Sequence, residues 1–390
     1  MTKNIVPSPD PPAFHQPDPP VDPGTLSKIQ QSLMHWYQAH HRPLPWRNTR
    51  DPYHIWVSEV MLQQTQVKTV IPYFLAFMAA FPALKDLADA DLDAVLKQWE
   101  GLGYYARARN LHKAARQVMD EFGGRIPDRF AGFKSLPGVG DYIAAAVMSI
   151  AFGRPRAVVD GNVKRVLARL FCLDTPVNHS SAHKRFQPLA DSLLDRSDPG
   201  TFNQAVMELG ALICIPAAPD CTACPLVHFC RARNQSRVME FPVKRTRKKT
   251  PCHHISTGIV TRQGRLLITR RKPDGLLGGL WEFPGGKVKK NEPAADACVR
   301  EIREETGLTV RISGFLTRVR HAYTHFKIEM DVFFCDYVSG EVVLDGPVDY
   351  QWVDPAEIRK FAFPRANLKF IDMIDLKGTV QEQTDAVSVP

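Results

Sequence analysis

No apolar run in this 390-residue chain approaches the roughly 20 residues that cross a bilayer, so no helical span is expected. Its start, "MTKNIVPSPDPPAFHQPDPPVDPG", is acidic and proline-rich and lacks the apolar stretch of a signal peptide; a cytoplasmic protein is expected. Paired cysteines are also missing. Of eight, four are scattered, which suits a reducing compartment and argues against a disulfide framework. Through the first 235 residues there is no run of alternating strands. What remains is a soluble composition, 44% hydrophobic and 23% charged, long enough for two domains plus tails. The net charge of +9 admits a polyanionic partner, since neutralised phosphates release counterions.

The first 24 residues hold eight prolines and read as a disordered tail, 1–24. Helical spacing then dominates an all-α domain over 25–235, in "TLSKIQQSLMHWYQAHH", "DLDAVLKQWEGLG", "ARNLHKAARQVMDEFG" and "YIAAAVMSIAFG". A basic linker, 236–251, includes "VKRTRKKT" and hands over to a different texture. "HHISTGIVTR", "RLLITRR" and "KIEMDVFFCDYV" are strands and 294–306 is a helix, which makes 252–375 an α+β domain. Residues 376–390 read as a loose tail.

Five groups carry chemistry. Cys214, Cys221, Cys224 and Cys230, spaced C-x6-C-x2-C-x5-C, are read as metal-binding; four thiolates can hold zinc or a [4Fe–4S] cluster. "SLPGVGDYIAAAV" predicts helix, turn and helix, where Gly138 and Gly140 let backbone approach and the next helix start can take a phosphate oxygen. Asp160, 20 residues on, stands where a helix begins and could be a plain N-cap. Glu59 sits among Trp56, Val57, Val60, Met61 and Leu62, as the polar face of a helix or as a carboxyl kept protonated by apolar neighbours. Finally, "GGKVKKNEPAADACVREIREETGL" puts Glu301, Glu304 and Glu305 on one helix face, where they repel unless a cation sits between them.

The uneven cysteine spacing resembles the cluster loop of endonuclease III and MutY DNA glycosylases. "PLPWRNTRDPYHIW", "IWVSEVMLQQTQV", "GLGYYARARNLHKAA", "LPGVGDYIAAA" and "VDGNVKRVLAR" extend the resemblance to MutY adenine glycosylases over about 25–232. The resemblance implies a helix–hairpin–helix glycosylase fold with a [4Fe–4S] loop over 214–230, and hydrolytic removal of adenine mispaired with 8-oxoguanine or guanine. It implies Glu59 as general acid on the base and Asp160 as the carboxylate facing the sugar, with Asn162 orienting it. Tyr142 stands where relatives with lyase activity carry a Schiff-base lysine, which implies a monofunctional enzyme leaving an abasic site. Arg42, Leu44, Trp46 and Gln204 match the adenine pocket. Gln64 and Tyr104 match residues wedged into the duplex, and Leu136, Gly138, Val139 and Gly140 the DNA-binding hairpin. The implied partner is double-stranded DNA containing A:8-oxoG or A:G; no membrane is expected, and a monomer is.

The stretch from Gly286 through Glu292 to "REIREETGL" resembles a full Nudix box, so a Nudix-like C-terminal domain is implied, with Mg²⁺ at Glu301, Glu304 and Glu305 if it hydrolyses nucleotides. Tyr323, Thr324 and His325 resemble the loop with which MutY proteins recognise 8-oxoguanine. Two readings of this domain stand: lesion recognition, or added or principal pyrophosphohydrolysis of oxidised nucleoside triphosphates. A rival for the whole chain is an endonuclease III-like glycosylase/lyase.

Overall fold

The computed structural model describes residues 21–179, 181–246 and 250–374. Most of the expected proline-rich tail, part of the basic linker and the C-terminal tail lie outside the described residues. In chain order the helices of the first part are α1 (Pro23–His40), α2 (Pro52–Leu62), α3 (Val67–Ala80), α4 (Leu84–Asp89), α5 (Leu92–Gln98) and α6 (Ala106–Phe122). They continue as α7 (Phe130–Lys134), α8 (Asp141–Ile150), α9 (Gly161–Phe171), α10 (Ala182–Leu193), α11 (Pro199–Leu212) and α12 (Arg231–Asn234). The second part holds β1 (Cys252–Arg262), β2 (Arg265–Arg270), β3 (Trp281–Glu282), β4 (Gly285–Lys287), α13 (Ala294–Thr306), β5 (Thr309–Ala322), β6 (Lys327–Ser339), β7 (Asp349–Val353) and α14 (Leu368–Ile371). The expected split, all-α then α+β, is what forms.

The chain divides into two compact units that alternate along the sequence: Met1–Arg42 with Gly153–Arg245, and Pro43–Phe152 with Thr246–Pro390. In the first unit α1 starts two residues earlier than the helical spacing suggested. Asp22 caps it by accepting the Thr25 N–H, and Pro23 sits in the first turn, where no N–H is required. Ile29, Leu33, Trp36 and Tyr37 recur at three-to-four spacing and are buried, as are Val163, Val166, Leu167 and Leu170 of α9. α9 and α11 pack closely because residue 210 is glycine: a Cβ there would lie 2.7 Å from Asn162 Cβ.

In the second unit α2 to α8 enclose a core of Trp56, Phe77, Trp99, Leu111 and Ile143. Asp51 caps α2, which buries every residue from Ile55 to Met61. The seven-stranded sheet has the order β3-β2-β1-β6-β5, with β4 on β1 and β7 on β2; β1 and β6 are parallel and the other pairs antiparallel. α13 covers one face through Cys298 and Ile302, and Phe363 and Phe370 cover the other. Leu280 and Ala362 of the C-terminal segment are buried in the helical core of the same unit. Tyr105 donates to the Phe363 carbonyl and Glu100 accepts the Phe363 N–H, so helix and sheet segments of this unit share one interior.

Candidate functional site

Glu59 is 4% exposed on α2, and its Oε2 accepts a 2.5 Å hydrogen bond from the Tyr142 hydroxyl. Tyr142 is delivered by the second helix of the expected hairpin, α7–turn–α8. Gly138 takes φ +76° there, and a Cβ would meet Asn110 Cβ at 2.7 Å, so this turn requires glycine. Leu136 and Val139 are buried and hold the turn from inside, while Gly138 and Gly140 are exposed beside the start of α8. The backbone N–H groups there can meet a phosphate.

Three residues singled out from separate motifs converge in this unit. Tyr104 donates to Gln64 Oε1 and its hydroxyl also meets that of Thr324. Gln64 (φ 56°) and Tyr104 (φ 51°) both take left-handed backbone, which costs about 1 kcal/mol or more for non-glycine residues. Arg107, which the sequence did not mark, fixes both segments. Its Nη1 donates to the carbonyls of Val60, Met61 and Gln63 at the end of α2, and its Nη2 to Gly103 and Thr65. Its guanidinium lies 5.3 Å from the centre of the Tyr104 ring. Burial holds Arg107 below the usual arginine range, at about 10. Tyr323 is half-buried, stacked on Phe326 at 4.7 Å, whereas Thr324 and His325 are exposed. Leu44 and Trp46 are buried, the latter edge-on to Phe74, and therefore pack as walls rather than open readers.

In the first unit Asp160 is the N-cap of α9, its Oδ1 accepting the Val163 N–H at 2.7 Å. Asn162 Nδ2 donates to Asp160 Oδ2 at 3.0 Å, and Asn162 is itself held by Arg165. Burial raises the Asp160 carboxyl above its ordinary range, opposed by those hydrogen bonds. The cap and the contact with Asn162 coexist on one carboxylate. Arg42 forks onto Glu208 at 2.8 and 2.5 Å; Glu208 is 1% exposed and was not anticipated. Gln204 accepts from Tyr37.

Cys214, Cys221, Cys224 and Cys230 line one cavity, whose wall includes the buried Arg169. Arg169 Nη1 lies 3.3 Å from Cys214 Sγ and donates to the Ile215 carbonyl, so a cation faces the thiols. No signal in the sequence marks Arg169 or Glu208, because the groups that bury and pair them, the Phe241 and Ile215 carbonyls and Arg42, lie elsewhere in the chain. Among the described residues no group of three or more His, Cys, Asp or Glu is arranged as a ready metal site.

Arg300 is the cation that the crowded glutamates need. Its Nη1 donates to Glu301 at 2.7 Å and Glu304 at 2.9 Å, and its Nε to Glu292 at 2.7 Å. Glu305 turns the other way and accepts the Gly285 N–H at 3.0 Å, with burial pushing its carboxyl up to about 7. A Cβ at Gly286 would sit 2.1 Å from Glu301 Oε2, so the glycine makes room for that carboxylate. As placed, these side chains do not offer a magnesium ion a free carboxylate set.

Residues 57–190 match the HhH-GPD superfamily of base excision DNA repair proteins, and 256–373 match a NUDIX domain. The adenine DNA glycosylase of Homo sapiens is 34% identical over 404 residues, covering 89% of this chain and 74% of that one. The adenine DNA glycosylase of Schizosaccharomyces pombe is 28% identical and covers 88% of each. A solved structure of a thermostable thymine-DNA glycosylase is 31% identical, with a TM-score of 0.51, over 54% of this chain and 98% of its own.

Proposed function

The chain belongs to the adenine DNA glycosylase family and acts as a DNA N-glycosylase; from that premise we propose that it removes adenine paired with 8-oxoguanine or guanine, without lyase chemistry. The observation that carries this reading is the buried Glu59 carboxyl held by the Tyr142 hydroxyl. A carboxyl in apolar surroundings keeps its proton, and adenine needs a proton because its anion is a poor leaving group. As the C1′–N9 bond breaks, its electron pair goes to the base, which takes the proton from Glu59. Positive charge is left on the sugar. The Asp160 carboxylate, oriented by Asn162, stabilises that charge until water adds at C1′ and loses a proton. Tyr142 offers a hydroxyl where a Schiff base would need an amine, so the product is an abasic site.

Gln64, Tyr104 and the hairpin turn are the groups proposed to open the duplex, with Thr324 and His325 meeting the base opposite. Convergence of Tyr104, Gln64 and Thr324 supports assigning the wedge and the lesion reader to one place. The four cysteines would hold a [4Fe–4S] cluster, which supplies a cross-link to the loop and takes no part in the step above. A yellow-brown protein supports the cluster; a colourless one containing zinc would sink it.

The deciding experiment gives Glu59→Gln a duplex with A opposite 8-oxoguanine. Base release should be abolished while duplex binding persists, and borohydride should trap no covalent adduct with the unaltered protein. Retained release by the variant, or an efficient adduct, would overturn the assignment.

A further inference from the structure

Gln64 and Tyr104 share more than the hydrogen bond between them. Each follows a peptide carbonyl that Arg107 grips: Nη1 donates to the Gln63 carbonyl at 2.7 Å, and Nη2 to the Gly103 carbonyl at 3.0 Å. A held carbonyl fixes the plane of its peptide, and φ of the next residue is the rotation that starts from that plane. The two left-handed φ values, 56° and 51°, therefore rest on one guanidinium. Its other contacts brace the same two segments. Nη1 also donates to the Val60 and Met61 carbonyls at 2.8 and 2.9 Å, where a cation suits the negative end of α2. Nη2 reaches Thr65 Oγ1, and that hydroxyl donates back to the Gln63 carbonyl at 3.4 Å. On the far side Trp99 Nε1 donates to the Gly103 carbonyl at 3.1 Å, and the guanidinium lies 5.5 Å from the centre of the Trp99 ring.

We propose that Arg107 is a positioning residue for the opening of the duplex: it holds both peptides in the turn that brings the Gln64 and Tyr104 side chains together, and it governs extrusion of the adenine, not proton transfer to it. The inference rests on the reading of Gln64 and Tyr104 as the groups that open the duplex. Left to themselves, L residues leave the left-handed region, where Cβ crowds the following carbonyl oxygen. The two side chains would then part, and a pair that enters the stack with one outline would become two separate, mobile groups. A guanidinium suits the task, because its planar fork spans two segments that lie 40 residues apart in the chain. A lysine ammonium is a single point and holds one carbonyl cluster at a time. Arg107 acts through two stretches of backbone and needs no contact with the base.

The test compares Arg107→Lys with the unaltered protein in single-turnover release from two duplexes. In one, adenine is paired with 8-oxoguanine; in the other it faces an abasic-site analogue and has no pair to break. Release should fall about 10-fold or more on the first and less than about 3-fold on the second, because only the first must be unpaired. Opening is also read without chemistry, by 2-aminopurine in place of adenine and Glu59→Gln in both proteins. Its fluorescence rises as it leaves the stack, and Arg107→Lys should lose most of that rise. Should the lysine variant unfold, as circular dichroism would show, Arg107→Gln takes its place, since its carboxamide reaches only one of the two peptides. Equal losses on the two duplexes, no loss on the paired one, or an undiminished rise overturns the proposal. If the unaltered protein released no adenine, the excision reading would fall instead, and the fluorescence would still decide the role of Arg107.

Discussion

Asp160 carries two jobs on one carboxylate, and they separate by substitution. Asparagine caps helices about as well as aspartate, so Asp160→Asn should hold thermal stability to within about 0.5 kcal/mol. Base release should fall by roughly 100-fold or more, the scale of losing one preorganised electrostatic group. A variant that melts early yet cleaves normally would leave Asp160 as a cap alone. Burial raises the Asp160 pKa. As pH falls through that raised value the group becomes neutral, so wild-type release should decline with it while Asp160→Asn shows no such limb. Glu59, Tyr142 and Asp160 were singled out by the motifs and the family resemblance that hold them, and the substitutions and borohydride trapping above test the roles assigned to them. Arg169 and Glu208 were not, since a buried charged group is defined by partners far away in the chain.

At the scale of elements, Arg107 closes the end of α2, the helix that bears Glu59. Arg107→Met keeps the stem but leaves the Val60, Met61 and Gln63 carbonyls short of a donor, with an expected loss of roughly 2–4 kcal/mol in chemical denaturation. Lysine should restore only part of this, because one ammonium cannot span the five acceptors the fork reaches; full rescue would show that charge alone suffices. α6 and α4 are joined by His112, whose Nε2 lies 2.9 Å from the Ala90 carbonyl. Burial lowers the His112 pKa, so the fold favours neutral imidazole. The stability it contributes is present above the unfolded histidine range and is lost as pH falls through the lowered value. The melting temperature should drop on acidification toward pH 5, and His112→Gln should flatten that drop. Element legibility followed periodicity. Helix 294–306 appears as read, whereas β5 was missed because register shifts near Thr309, Ile312 and Phe315 break its period of two.

For the whole molecule, the +9 charge predicts duplex affinity that falls with salt. If about four phosphates are neutralised, Kd should rise roughly 100-fold between 50 and 200 mM salt; a flat response would remove phosphate contacts from the account. The alternation of the two units along the chain was illegible, because composition changes at the linker while the interior shared by α5, α6 and Phe363 does not. That alternation sets an order of events during synthesis. α1 leaves the ribosome with Ile29, Leu33, Trp36 and Tyr37 facing outward, and α11, which packs against it, follows some 160 residues later. At about 5–20 residues per second the first helix waits roughly 10–30 s for its partner. A chaperone that holds nascent apolar segments would find a target in α1.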